Sequence, residues 1–392
     1  MSDKKNIVFV SIACDLYGSS KVLLSLVLHM KNQSNRYNPI VCLPPEEGPL
    51  RAKLQEAGVQ IIEMPVVKLT RSMLRSFGVF KLWGEYRKAK RIFKDETNDI
   101  TVDYIHSNTL ATLFGAIYCK FRKTKHIIHV HEIMDRPKAA THFFKRLIKH
   151  GCDVVVFNSE ATAKFYNSMG RSIRKKSATI PNGVVRPTSP TSEEEKRQIR
   201  EELFGVSEED IVIGLVGRFN RLKGHDITLK VFTEISEAYP KLKLLFVGSP
   251  PPGQEHFLDN LREKIKTSTV SDKVKIVGFQ EKVFPLMESM DLVVVPSTEP
   301  ESFGLVVVEA MFARRAVVGS RIGGISTIIN HEKTGLLFDH ESTEDYKENL
   351  KKLLDNPVFK KELEANALEM ATRVFTTDVM YEKFLEMYNN VA

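Results

Sequence analysis

The sequence predicts an α/β protein of two domains, each a parallel sheet covered by helices, with a ligand cleft between them. Three observations predict it. Short apolar runs alternate with helical patterns along the whole chain, the rhythm of a repeated strand–helix–strand unit. At 392 residues the chain is long for one domain and comfortable for two. Its charge also divides: residues 1–187 hold 31 Lys and Arg against 15 Asp and Glu, whereas residues 188–392 hold 26 against 34. The break falls near Pro181, Pro187 and Pro190, just before Glu193-Glu194-Glu195. It places the first domain at residues 1–187 and the second at 188–374.

In the first domain the apolar runs predict strands near residues 7–12, 39–43, 59–64, 104–106, 126–130 and 153–157. In the second they predict strands near 211–216, 243–247, 275–277, 292–295, 316–318 and 335–338. The opening residues 4–12 mimic a signal peptide. Asp15 cuts the apolar run short and no small-residue cleavage site follows, so a first strand is the better reading. After it, Asp15-Leu16-Tyr17-Gly18-Ser19-Ser20-Lys21 leads into a helix expected over residues 22–31. The tail, residues 375–392, reads as an amphipathic helix, with Val379, Phe384, Met387 and Tyr388 available for packing.

The composition, 42% hydrophobic and 27% charged without a low-complexity tract, is that of a globular chain rather than a disordered one. No apolar run approaches the roughly 20 residues of a membrane span. Cys14, Cys42, Cys119 and Cys152 lack metal or disulfide spacing and read as buried thiols of a reducing cytoplasm.

The residues with chemistry cluster after strands. Glu301 and Glu309 bracket seven residues downstream of the run 292–295, where an open α/β sheet presents ligands. Gly217-Arg218-Phe219-Asn220-Arg221-Leu222-Lys223-Gly224 offers a planar guanidinium and a point charge, a pairing suited to a diphosphate or simply a solvated basic loop. Gly18-Ser19-Ser20 is not a dinucleotide fingerprint. It reads equally as an anion-binding helix start or as a tight turn with serine capping. Gly323-Gly324 allows close backbone approach, to a ligand or within a turn. His106 and Asn108 end one predicted strand; His129, His131 and Glu132 end the next, facing the presumed cleft. His129 and His131 have ligand-like spacing, yet no third ligand follows and no Asp-x-Asp pair occurs, so no divalent metal and no cofactor is expected.

Taken together, these residues resemble retaining glycosyltransferases of the GT-B fold, in the large family four that builds bacterial polysaccharides. The resemblance rests on Glu301-Ser302-Phe303-Gly304-Leu305-Val306-Val307-Val308-Glu309-Ala310-Met311, on Gly217-Arg218 with Lys223-Gly224, on Ile180-Pro181-Asn182-Gly183-Val184, on His131-Glu132 and on Thr334-Gly335-Leu336-Leu337. It implies two Rossmann-like domains, with the terminal helix crossing back to the first. It implies that Arg218 and Lys223 hold the donor diphosphate, that Glu309 accepts hydrogen bonds from the ribose, and that Glu301 lies beside the donor sugar. Backbone N–H groups of Phe303, Gly304 and Leu305 would help bind sugar or phosphate. Gly18 would approach the diphosphate, His131 would stand near the reacting centre, and Phe279 would border the base. Ser302 stands where the family has Gly, Ser326-Thr327 where it has Pro-Glu, and Ser19-Ser20 where a second Gly and an acid are frequent.

The function expected is transfer of a sugar from a nucleotide sugar, UDP favoured over GDP, to a saccharide acceptor that is lipid-linked. A sugar-nucleotide epimerase and a silent scaffold are the competing readings. Residues 68–94 carry nine bases and one acid, and residues 120–149 carry nine bases with Glu132 and Asp135. Within the latter, residues 142–149 interleave aromatic and aliphatic side chains with bases, which suits an anionic membrane surface. With no nucleic-acid reader motif, these features predict a cytoplasmic protein, peripheral on the inner face of the membrane, that binds no nucleic acid.

Overall fold

The computed structural model describes residues 4–68 and 78–391. Thirteen strands form two sheets among the described residues. The first sheet contains β1 (Lys5–Val10), β2 (Tyr37–Leu43), β3 (Gln60–Glu63), β4 (Val102–Ser107), β5 (Lys125–Val130), β6 (Val154–Phe157) and β7 (Ser177–Thr179). The second contains β8 (Ile211–Val216), β9 (Leu242–Val247), β10 (Val274–Val277), β11 (Leu292–Val295), β12 (Ala316–Ser320) and β13 (Leu336–Phe338). Every pairing is parallel. Helices cover both faces of such a sheet, so its strands read as continuous apolar runs rather than alternating ones. Strand β11 shows this directly, since Leu292, Val293, Val294 and Val295 are all buried.

The strand orders are β3-β2-β1-β4-β5-β6-β7 and β10-β9-β8-β11-β12-β13. In each sheet the winding reverses once, between β1 and β4 in the first and between β8 and β11 in the second. The loops leaving those strands diverge to opposite faces and open a crevice. Gly18 and Asn108 follow β1 and β4; the Arg218–Lys223 loop and Glu301 follow β8 and β11.

Two local expectations change. Strand β7 is additional to the expected set, because three residues of Ser, Ala and Thr carry no apolar signal; they pair with β6 at the sheet edge. The first helix spans Gly18–Gln33, four residues earlier than expected. Asp15 explains the early start: its Oδ1 accepts from the Tyr17 N–H at 3.1 Å and the Ser20 hydroxyl at 3.0 Å. The carboxylate thereby organises the turn that an apolar count cannot see.

Residues 1–185 together with 376–392 form one compact unit and residues 186–375 the other. The terminal helix, Thr377–Val391, belongs to the first unit, as the resemblance implied. Ala392, its last expected residue, lies outside the described residues. The helix buries Met380, Tyr381, Phe384, Met387 and Tyr388. Tyr104 donates its hydroxyl to the Tyr388 carbonyl at 3.1 Å, and Tyr37 donates to Asn389 Oδ1 at 2.9 Å. Gly183 admits the returning chain: a Cβ there would stand 2.7 Å from the Thr376 carbonyl oxygen.

Candidate active site

The second unit gathers most of the chemistry at the carboxyl edge of its sheet. Strand β8 delivers Gly217 and Arg218, and a short turn, Arg221–Lys223, delivers Lys223. Asn220 caps that turn by accepting from the Leu222 N–H at 3.0 Å. Strand β11 delivers Ser297 and, after a bend, Glu301. The two loops are joined along their length. Thr298 donates its N–H to the Leu222 carbonyl at 2.9 Å, and its hydroxyl to the Arg221 carbonyl at 3.1 Å. Arg221 pairs with Glu299. Gly224, in the left-handed region at φ +71°, lies so close to Pro296 that any Cβ would collide with its carbonyl oxygen.

Lys223 and Glu301 meet at the centre of this junction, Nζ to Oε1 2.7 Å, each side chain about one-fifth exposed. The Ser297 hydroxyl, itself buried, donates to the same Oε1. Burial opposes ionisation of Glu301, but the Lys223 ammonium and the Ser297 hydroxyl outweigh it and hold the carboxyl below its ordinary value. It is an anion that resists protonation, and so a weak base.

The paired glycines resolve in favour of the chain itself. Gly323, at φ +56°, backs onto Glu301; a Cβ there would overlap the Glu301 carbonyl oxygen. Gly324 donates its N–H to that oxygen at 2.6 Å, and a Cβ on Gly324 would overlap the Phe303 carbonyl oxygen. Their lack of side chains lets the loop after β12 clamp the Glu301 segment. Ser326 and Thr327, which stand where the family has Pro-Glu, bond the carbonyls of Gly323 and Gly324 at 2.7 and 2.8 Å.

From there Gly304 caps the helix Leu305–Phe312 with φ +115°. Glu301 stands just before this helix and Glu309 in its second turn, buried. Val307 donates its N–H to the carbonyl of the capping Gly304 at 3.0 Å, while Leu305 and Val306, the first two helical residues, have no i−4 carbonyl within the helix, which makes this end a potential anion site. The Phe303 side chain points away from that role: it is buried, its ring edge-on to Phe375 at 5.9 Å. Phe279 follows β10 and is 54% exposed.

In the first unit Gly18 opens the first helix and His131 follows β5. The intervening loops connect them: Asn108 donates to the Ser19 carbonyl at 3.1 Å, and the Thr109 hydroxyl donates to Glu132. The Glu132 carboxylate also accepts from the His131 N–H at 2.8 Å, and Tyr166 donates to the Glu132 carbonyl at 3.2 Å. Burial pushes the Glu132 carboxyl up despite those hydrogen bonds. Burial holds the His131 ring down at about 3, so it is neutral at physiological pH.

His106 and His129 differ from expectation. They are the penultimate residues of β4 and β5, at the strand ends as expected, but both are buried and packed against the terminal helix. His106 Nδ1 meets the Tyr388 hydroxyl at 2.5 Å, and the Phe384 ring lies 5.5 Å from His106 and 5.2 Å from His129. They are core histidines. Among the described residues no group of three or more His, Cys, Asp or Glu side chains is placed to hold a metal ion. Sequence reasoning missed Ser297 and Thr109. A hydroxyl four residues before Glu301 was the available signal for the first; the second follows β4, far from its Glu132 partner in sequence, and leaves none.

The basic segments are only partly as expected. Residues 69–77 of the first lie outside the described residues. In the second, the helix Lys138–Gly151 turns Ala140, Phe144 and Ile148 into the core, leaving Phe143 exposed. Its apolar side chains therefore serve packing more than display.

Comparison with known proteins matches the family model described as "Glycosyl transferases group 1" at residues 196–370 and that described as "Glycosyltransferase Family 4" at residues 17–186. A D-inositol 3-phosphate glycosyltransferase of Nocardioides is 27% identical over 65% of this chain and 57% of its own length. One from Rhodococcus erythropolis is 31% identical over 48% of this chain and 43% of its own. The chain spans about half the length of the curated relatives it matches. Among solved structures, Anabaena HepE in complex with UDP and glucose superposes with TM-score 0.82 at 22% identity, covering 98% of this chain and 99% of that one. Sucrose-phosphate synthase of Thermosynechococcus elongatus gives 0.80 at 18%, covering 99% of each. The fold is the GT-B fold that the resemblance implied.

Proposed function

The chain belongs to the group 1, family 4 glycosyltransferases, and on that premise we propose that it moves a sugar, with retention, from a nucleotide diphosphate sugar to a saccharide hydroxyl. The observation that carries this reading is the Lys223–Glu301 pair, built where two loops of the second unit join at its switch point. Arg218 and Lys223 hold the diphosphate, Glu309 takes the ribose hydroxyls, and Glu301 lies along the donor sugar. Phe303, Gly304 and Leu305 contribute backbone N–H groups, and Phe279 borders the base. Within the first unit, Gly18 opens a helix whose N-terminus suits an anion, and His131 offers a neutral buried imidazole.

As the bond to the diphosphate loosens, charge grows on the leaving phosphate. Cations at Arg218 and Lys223 stabilise that charge more in the transition state than in the ground state. Glu301 shares its Oε1 between an ammonium and a hydroxyl, which makes it a poor nucleophile and a good fixed acceptor for sugar hydroxyls. This favours an acceptor hydroxyl entering on the leaving-group face, its proton passing to a phosphate oxygen, over a covalent glycosyl-enzyme. The reaction needs no divalent ion in this scheme, because the two side-chain cations face the diphosphate.

HepE is described with UDP and glucose, which favours a uridine donor here. The acceptor is a lipid-linked saccharide of polysaccharide assembly, met at the cytoplasmic face of the membrane. Net basic charge in the first half and the absence, among the described residues, of a helix long and apolar enough to cross a membrane fit a peripheral protein. The test is product analysis with UDP- and GDP-sugars and lipid-linked acceptors. Transfer supports the reading. An isomerised donor would make the chain an epimerase, and donor binding without turnover would make it a scaffold.

A further inference from the structure

The helices Gly78–Glu96, Phe114–Tyr118 and Lys138–Gly151 pack side by side. Each links strands in the same direction across the first sheet, so right-handed crossovers put all three on one face. Their inward sides are complete: Tyr86, Ala89 and Phe93, then Phe114 and Tyr118, then Phe144 and Ile148 fill the core.

The outward side is where apolar surface remains. Phe80 is 77% exposed, Trp83 52%, Phe121 88% and Phe143 38%. Among the described residues these are all the large exposed aromatics of the first unit, and every one lies on this layer or at its end. Bases run beside them. Arg87, Arg91 and Lys94 continue the exposed stripe of Phe80 at helical spacing, and Lys120 Nζ lies 5.4 Å over the Phe121 ring. Acids are sparse: the helix Gly78–Glu96 carries Glu85 midway and then Asp95 and Glu96 at its far end, and the helix Lys138–Gly151 carries none.

We propose that this outer face docks the protein on an anionic lipid bilayer, through Phe80, Trp83, Phe121 and Phe143 in the interface and the adjoining bases on lipid phosphates. The proposal rests on the membrane part of the proposed function and names the surface responsible. A bilayer satisfies both halves of the face at once: aromatic rings favour the headgroup level, and each base near an anionic leaflet adds about fivefold to partitioning. A second copy of the chain would bring the same positive charge and be repelled.

Trp83 is the chain's one tryptophan, so its fluorescence reports this face alone. The full chain is mixed with phosphatidylcholine vesicles with and without about 30% phosphatidylglycerol. Co-sedimentation with the anionic vesicles, a blue shift of Trp83 emission, and release at about 0.5 M salt are expected. The triple variant Arg87→Ala, Arg91→Ala, Lys94→Ala should bind about a hundredfold more weakly, with UDP affinity unchanged. Unshifted Trp83 emission, equal binding to neutral vesicles, or full binding by the triple variant would each overturn the proposal. Vesicle binding without sugar transfer would sink the enzymatic reading and leave the surface standing.

Discussion

Lys223 and Glu301 lie 78 residues apart in sequence and 2.7 Å apart in the fold, at the seam of two loops that leave adjacent strands. The pair is completed by Ser297 on the same oxygen and backed by the glycines at 323 and 324. In the proposed donor site a diphosphate would meet a lysine already oriented by its counter-ion, which lowers the ordering cost of binding.

Removing the lysine tests the seam directly. Lys223→Ala is expected to cut turnover of a sugar nucleotide by about 10²–10³-fold, the range for losing one preorganised stabilising group. Glu309→Ala should cost a comparable amount through the ribose. Thermal melts of both variants should stay close to the parent. Near-normal turnover in either would remove that residue from the donor site.

Ser297→Ala deletes one donor to a charged acceptor, worth about 1.5–3 kcal/mol. Glu301 has a depressed carboxyl pKa, so its contribution to stability is full above the ordinary carboxylate range and is lost as pH falls through the folded value. Without the hydroxyl the folded value rises toward the unfolded one, so the acid-dependent loss should be smaller and complete at higher pH. Chemical denaturation across the acid range measures this, with an unchanged acid midpoint counting against the serine.

Gly323→Ala forces a side chain into the left-handed region and against the Glu301 backbone. Overpacking of this kind costs about 1–3 kcal/mol and should also lower activity by shifting Glu301. Gly84→Ala is the control, since nothing lies within 4 Å of its added carbon and it sits in a helix. If both substitutions behave alike, the glycine clamp is unimportant.

Four buried histidines of the first unit, His131 at about 3 among them, set its acid limit. Burial lowers His106 to about 3 and His126 to about 4, and it lowers His129 well below the ordinary 6.5. The unfolded chain binds protons first, so stability is complete above about 6.5 and declines as pH falls toward 3. His106→Leu should flatten that decline, even though it loses the Tyr388 contact and lowers stability at neutral pH. A melting profile with an unaltered acid slope would contradict the assignment.

Much of the fold was legible because parallel strands are buried on both faces. The strands β8, β9 and β11 that line the second core appear in the sequence as nearly uninterrupted runs of Val, Ile and Leu. Strand β7 escaped because an edge strand of Ser, Ala and Thr needs no such run. The helix Leu305–Phe312 contains Val306, Val307 and Val308, residues that favour strands; Gly304 at its start and burial of the helix override that preference. The exposed aromatics of the first unit were invisible as a group, because exposure depends on which neighbours fold over a ring.

The sequence by itself determined the two parallel-sheet units, the segments that follow their strands, and the residue types gathered there. Those follow from local periodicity and from short motifs, which the chain carries within a few residues. Tertiary structure alone decided that Lys223 pairs with Glu301, that Gly323 and Gly324 support the chain itself, and that His106 and His129 face the terminal helix. Each of these joins segments that are distant along the chain. Their geometry is set by strand order and packing, quantities that no short stretch of sequence encodes.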